Sequence, residues 1–314
     1  MTGLDWREGE FRRSRPSVET LAWVAASMGR GGRVVDCRRM TGGVSSAVHR
    51  LTVERRGVRT HVVLRQYPGG LGLEASLQEE IANLGVVAGS GLPVPTILAA
   101  DTDGASTGDA PTLLMSRLPG HIDLNPAAPR SWMTRIAELA ALLHSLDLPA
   151  TTFRPWTDSW IAPLDELQVP AGAQNPAVWR AAFEVMAAPP PDDGAVFLHG
   201  DFLPVNMLWS RGRITGLLDW NAVHRGSRAI DVGHCRRYLA ALYSPEWSEQ
   251  LRTRYESIAG ARLDPWWDLY ALLHHDESQP KWISRQVAGR RPVDMADMTS
   301  RVEVAVEKAL SRIG

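Results

Sequence analysis

The chain has 314 residues, of which 34 are basic and 35 acidic, for a net charge of -1. That length suggests two domains or one large domain with two lobes, and 44% hydrophobic content is enough for a sizeable core, which excludes a disulfide scaffold and wholesale disorder. The balanced charge argues against a nucleic-acid binder or a polybasic membrane protein. The two cysteines, Cys37 and Cys235, form no CxxC pair, and no apolar run is long enough to span a membrane, so a cytoplasmic monomer or homodimer that binds a small molecule is expected.

Residues 17 to 28 place Val18, Leu21, Ala22, Ala25 and Met28 on one stripe, which predicts a leading helix stopped by the glycines at 29 to 32. The period then changes to short runs over 34–37, 47–54 and 61–67, separated by glycine turns, as in an antiparallel meander. One helix interrupts it, carrying Leu77, Ile81, Leu84 and Ala88, and extended structure resumes through 112–116 before Leu118-Pro119-Gly120. Beyond residue 130 helical spacing dominates, first in Trp132, Ile136, Leu139, Leu143 and Leu146 behind a candidate Ser131 cap. Prolines across 150–195 predict short helices joined by loops, and ten of twelve tryptophans lie at or after Trp132, where core and groove wall are their commoner uses.

The segment FLHGDFLPVNMLWSRGRITGLLDW, residues 197 to 220, carries the chemistry. A type II′ turn at Gly212-Arg213 would set Asn206 opposite Asp219, where an amide oxygen and a carboxylate could converge on a hard cation such as Mg²⁺. Asp201, five residues before Asn206, would stand near the same ion and accept a proton from an attacking hydroxyl. Taken singly, each aspartate fits a turn or strand end equally well.

The string HGDFLPVN followed by LLDW, with a glycine-rich turn upstream, resembles the aminoglycoside phosphotransferase family, a branch of the protein-kinase-like fold, over roughly residues 30 to 240. The resemblance implies an α+β bilobal enzyme. Its N-terminal nucleotide-binding lobe, residues 1–117, would hold a small antiparallel sheet with one or two helices, and its mainly helical C-terminal lobe, residues 118–314, would be catalytic and bind substrate. It implies Asp201 as catalytic base, Asn206 and Asp219 as magnesium ligands, and ATP or GTP as co-substrate. The phosphate-covering loop would be TGGVSS, with Thr41, Gly42, Gly43, Ser45 and Ser46, although alone this string reads as a hairpin turn. The hinge would use the Ser116 carbonyl and Leu118 N–H against adenine with Met115 behind them, although alone this run reads as a buried strand.

Kinase-like folds place a basic residue on the third strand, paired with an acid on the neighbouring helix. The first lysine here is Lys281, so the role falls to Arg65, and Glu80 is its expected partner because it shares the buried stripe of Leu77 and Leu84 while Glu79 points away. His199 reads as an anchor of the catalytic loop and Asp231 as a helix cap, while the resemblance implies an acid near Asp231 that braces the catalytic loop. His274 and Asp276, within a run of four polar residues, read as a solvated face or substrate-groove rim, and Trp266 and Trp267 as substrate-wall candidates.

The implied reaction is phosphorylation of a small-molecule hydroxyl. An antibiotic or natural product (aminoglycoside, macrolide or peptide) is the first expectation, which would make the protein a resistance enzyme. A metabolic kinase for an amino alcohol, sugar or homoserine-type acceptor is the alternative, and a catalytically weak nucleotide-binding module, suggested by the missing lysine, is the third. Residues 126 to 195 hold eight acids and four arginines, a net of -4, which is mild acidity for a polycation site.

Overall fold

The computed structural model describes residues 11, 13–40, 46–68, 74–108, 110–148, 153, 155–156 and 167–313. The chain divides into two compact units, Met1–Pro119 and Gly120–Gly314. In the first, helix α1 (Val18–Ser27) starts at Ser17, whose hydroxyl accepts from Thr20 N–H. Its buried face centres on Thr20 and Val24, whereas Val18, expected inside, is 79% exposed. The correction has a local cause: Thr20 donates to the Thr107 carbonyl, and this buried bond turns the helix away from the purely apolar stripe.

Strands β1 (Arg33–Arg39), β2 (Ala47–Arg55) and β3 (Val58–Gln66) form the meander. Helix α2 (Glu74–Val87) follows, then β4 (Ile97–Asp101) and β5 (Thr112–Ser116). The sheet is antiparallel in the order β1-β2-β3-β5-β4, so β5 inserts between β3 and β4. Alternation on β2, β3 and β5 sends Leu51, Val53, Val62, Leu64 and Leu114 into a core shared with Val24 of α1.

The second unit begins with the short strand β6 (His121–Ile122) and helix α3 (Pro129–His144). The helix starts two residues before the candidate Ser131 cap, with Pro129 at its first turn, where the missing N–H costs nothing. Helix α4 (Pro176–Met186) and strand β7 (Val196–Leu198) lead to a 3₁₀ turn at Pro204–Asn206 and the hairpin β8 (Met207–Ser210) and β9 (Arg213–Leu217). Strand β10 (His224–Gly226) pairs with β7, and β6 with β8. Five helices complete the unit: α5 (Ala229–Leu242), α6 (Pro245–Ala259), α7 (Pro265–Leu273), α8 (Gln279–Val287) and α9 (Met298–Leu310). Trp179, Leu269, Leu272, Ile283, Val302 and Val306 knit α4, α7, α8 and α9 onto α5. Among the described residues no helix is long and apolar enough to cross a membrane.

Candidate active site

In the first unit the side chains of β3 and α2 meet in a buried polar cluster. Arg65 Nη1 donates to Glu80 Oε1 at 2.8 Å, and Arg65 Nε donates to Ser46 Oγ at 2.9 Å. The Tyr67 hydroxyl, two residues along the strand and therefore on the same face, donates to Glu80 Oε2 at 3.0 Å. Its ring also lies 5.1 Å from the Arg65 guanidinium carbon. Both carboxylate oxygens of Glu80 are thus satisfied although the residue is only 2% exposed. Tyr67 was not foreseen, and its signal was the two-residue spacing from Arg65. Met115 is buried opposite Val63, Ser116 exchanges bonds with Thr96, and Leu118 lies half-buried beyond the end of β5. Thr41, Gly42, Gly43 and Ser45 lie outside the described residues.

In the second unit β7 runs directly into His199-Gly200-Asp201. Gly200 has φ +80°, and a Cβ there would stand 1.7 Å from the Ala222 carbonyl oxygen, so the loop closes only with glycine. Asp231, in the first turn of α5 and fully buried, accepts from His199 N–H at 2.8 Å and Gly200 N–H at 2.9 Å. His144 Nε2 lies 3.4 Å from the same carboxylate, and its Nδ1 is 2.7 Å from the Tyr255 hydroxyl. Asp231 is therefore a loop brace. His199 Nδ1 accepts from Asp201 N–H at 3.2 Å, which puts its proton on Nε2, facing the Leu218 carbonyl at 3.0 Å. Burial holds this imidazole below its ordinary pKa, so it is a neutral strut.

Asn206, closing the 3₁₀ turn, donates through Nδ2 to the Asp201 carbonyl at 2.9 Å and to Asp201 Oδ2 at 2.7 Å. The hairpin beyond it differs from expectation by one residue. Ser210 pairs with Arg213 around a two-residue turn at Arg211 and Gly212, both with positive φ, and a bulge follows at Leu208/Trp209. Arg211 takes a left-handed backbone that non-glycine residues seldom adopt, so the sequence pointed to the wrong turn pair. The Asn206 carbonyl accepts from Leu218 N–H at 2.9 Å, and Asp219 comes one residue later with φ +68° rather than directly opposite.

Burial pushes the Asp201 carboxyl up to about 7, and the neighbouring Asp219 carboxylate pushes in the same direction. A carboxyl raised by a neighbouring carboxylate in this way marks a place where a divalent cation could be held. Asn206 fits it too, because its amide nitrogen is committed to Asp201 and leaves the carbonyl oxygen for a hard ion. Among the described residues no three His, Cys, Asp or Glu side chains converge as a metal cage.

Asp201 lines a cavity of about 370 Å³ together with Leu203, Arg237, Tyr238 and Trp282. His274 and Asp276 line it as well, and they do so because α7 ends at Leu273, so they leave the helix rather than ride on one. Trp266 and Trp267 do not line it. Their indole N–H groups donate to the Val185 and Pro191 carbonyls, and their rings pack against Tyr270.

The family model for the phosphotransferase enzyme family matches residues 36–267. The fold is protein-kinase-like. A thermostable mutant of the aminoglycoside phosphotransferase APH(4)-Ia, solved with AMP-PNP and hygromycin B, superposes with a TM-score of 0.59 at 16% identity, covering 94% of this chain and 98% of that one. The macrolide 2′-phosphotransferase of Brachybacterium faecium gives a TM-score of 0.53 at 18% identity over 93% and 98% of the two chains. An amicoumacin kinase solved with AMP-PNP and Ca²⁺ gives 0.54 at 11% identity over 88% and 92%. The chain belongs to the phosphotransferase enzyme family, whose members transfer a phosphoryl group to an alcohol acceptor. Among curated proteins, acyl-CoA dehydrogenase family member 10 of Mus musculus is 26% identical over 203 residues, 56% of this chain, which spans 18% of that relative's length.

Proposed function

We propose that this phosphotransferase moves the γ-phosphoryl group of ATP or GTP to a hydroxyl of a small molecule, with Asp201 as the base. The observation that carries the reading is the Asp201 carboxylate itself: hydrogen-bonded by Asn206, raised by burial and by Asp219, and lining a cavity of about 370 Å³. The acceptor hydroxyl gives its proton to Asp201 as its oxygen bonds the γ-phosphorus. The bond from that phosphorus to the β–γ bridging oxygen breaks, and the nucleoside diphosphate leaves. Asn206 and Asp219 would hold Mg²⁺, which supplies charge neutralisation at the phosphates. In the first unit Arg65, fixed by Glu80 and Ser46, is the candidate contact for the nucleotide phosphates, with Met115, Ser116 and Leu118 as candidates for the base. On this reading the first unit binds nucleotide and the second carries catalysis and the acceptor.

The ligands named for the structural neighbours support an antibiotic or natural-product acceptor, whereas Arg237 and Tyr238 in the lining of the cavity favour a metabolic one. Mg²⁺-dependent binding of ATP or GTP, measured by calorimetry on wild type and Asp219→Ala, tests the proposal. Binding that needs the metal and is lost in the variant is expected. Nucleotide binding indifferent to both would overturn it.

A further inference from the structure

The cavity beside Asp201 holds more unspent polarity than a proton acceptor requires. Three of its walls are buried side chains with an atom that meets no hydrogen-bond partner among the described residues: His234 Nε2, Tyr238 Oη and Gln286 Oε1. His234 and Tyr238 are 5% and 3% exposed, so water does not supply the missing bonds freely. Between them on α5 stands Arg237, which donates from Nη1 to the His274 carbonyl. Among the described residues no carboxylate stands within ion-pair distance of its guanidinium. Burial pushes Arg237 down to about 10, which leaves it a cation at neutral pH. Both acids of the lining, Asp276 and Asp201, favour its charge from beyond ion-pair distance, and Asp276 itself accepts from Ser278 N–H, the Ser278 hydroxyl and Gln279 N–H.

Resting on the phosphotransfer reading, we infer that the acceptor is a small hydroxy acid whose carboxylate seats on Arg237 and the Tyr238 hydroxyl while its own hydroxyl meets Asp201. A planar carboxylate matches the guanidinium fork, and a phenol O–H adds a further donor. Gln286 Oε1 is left for one further O–H or N–H of the substrate, and Leu203 and Trp282 offer apolar surface to its carbon chain. A polycationic aminoglycoside would instead set like charge against the half-buried Arg237 guanidinium, which shares the lining with Asp201 and Asp276. The product is the phosphate ester of the acid: the hydroxyl oxygen gains the γ-phosphoryl group, and its proton leaves through Asp201.

The test is ADP release from Mg·ATP with straight-chain hydroxy acids of three to eight carbons, each beside its methyl ester, and kanamycin as the polycation. Acids are expected to be used at least about tenfold better than their esters. Arg237→Gln should raise KM for the acid by about 30-fold or more with KM for ATP unchanged, as expected for removing one partner of a charge-assisted bond. Tyr238→Phe removes a hydroxyl that meets no hydrogen-bond partner among the described residues, so it should fold normally and raise the same KM by about 2- to 10-fold. Esters or kanamycin used as well as the acids, an acid preference that survives Arg237→Gln, or Mg·ATP binding without turnover of any acid each overturns the inference and leaves phosphotransfer standing. Absence of Mg²⁺-dependent nucleotide binding and turnover with every acceptor overturns phosphotransfer, and the inference with it.

Discussion

As the proposed base, Asp201 sits where two demands conflict, because it must be ionised to accept a proton while its burial and Asp219 both favour the neutral acid. Asn206 works against that by donating to the ionised carboxylate. Asp201→Asn keeps the shape and removes the proton acceptor, so kcat should fall by about 10² to 10⁴-fold with nucleotide affinity retained, as read by steady-state kinetics beside calorimetry. Arg65→Ala should instead act through stability: Glu80 would keep its Tyr67 bond and lose its charge partner, at about 3–5 kcal/mol in urea denaturation. Choosing Glu80 over Glu79 was possible from the sequence because a helix repeats its faces every three to four residues. The Asn206–Asp219 register was not, since it depends on Arg211 accepting a left-handed backbone, which no residue pattern announces.

At the level of elements, α5 explains why part of the site could not be read from periodicity. Nearly every residue from Ala229 to Leu242 is buried, so the helix has no solvated face against which a polar residue stands out. It turns Asp231 to the catalytic loop, Arg237 and Tyr238 to the cavity, and Arg236 to Asp268, which Arg312 also reaches. The sequence singled out Asp231 on the strength of the resemblance and passed over Arg237, which has an identical neighbour in Arg236. Asp268→Ala should cost about 3–5 kcal/mol by leaving Arg236 without its fully buried partner, and equilibrium unfolding measures it. Gly200→Ala should abolish activity, because the new methyl collides with the backbone leaving β9. A variant with wild-type turnover would show that the loop has room the structure denies it.

Across the molecule, helices were legible where one face was apolar and the other wet, as in α2, and strands as short runs between glycine turns, as in β2 and β3. The leading helix was found but rotated, since a buried Thr20 bond outweighed the apolar stripe. The second unit also carries a pH liability. His199, His234 and His275 are buried, and burial lowers the pKa of each, that of His275 to about 3. Unfolded, each titrates near 6.5, so the unfolded chain takes up protons that the folded one refuses. Their stabilisation is complete above about pH 6.5 and is lost as pH falls towards the folded values, at about 1.4 kcal/mol per pH unit for each histidine that titrates only when unfolded. Thermal unfolding between pH 7 and pH 5 should show Tm falling, and His275→Gln should flatten the fall. An unchanged slope in that variant would remove His275 from the account.

The arginine on β3 has a consequence for how such an enzyme is found. Nucleotide analogues with an amine-reactive acyl group on the terminal phosphate mark kinases by acylating the strand lysine. On the proposed nucleotide contact the corresponding residue is the Arg65 guanidinium, and the chain's two lysines, Lys281 and Lys308, both lie in the second unit. A guanidinium does not acylate at neutral pH, so such a reagent should bind and leave Arg65 unmarked. Arg65→Lys, if it accepts the nucleotide, should become labelled at residue 65, and a survey of kinases by this chemistry would detect the variant while overlooking the parent.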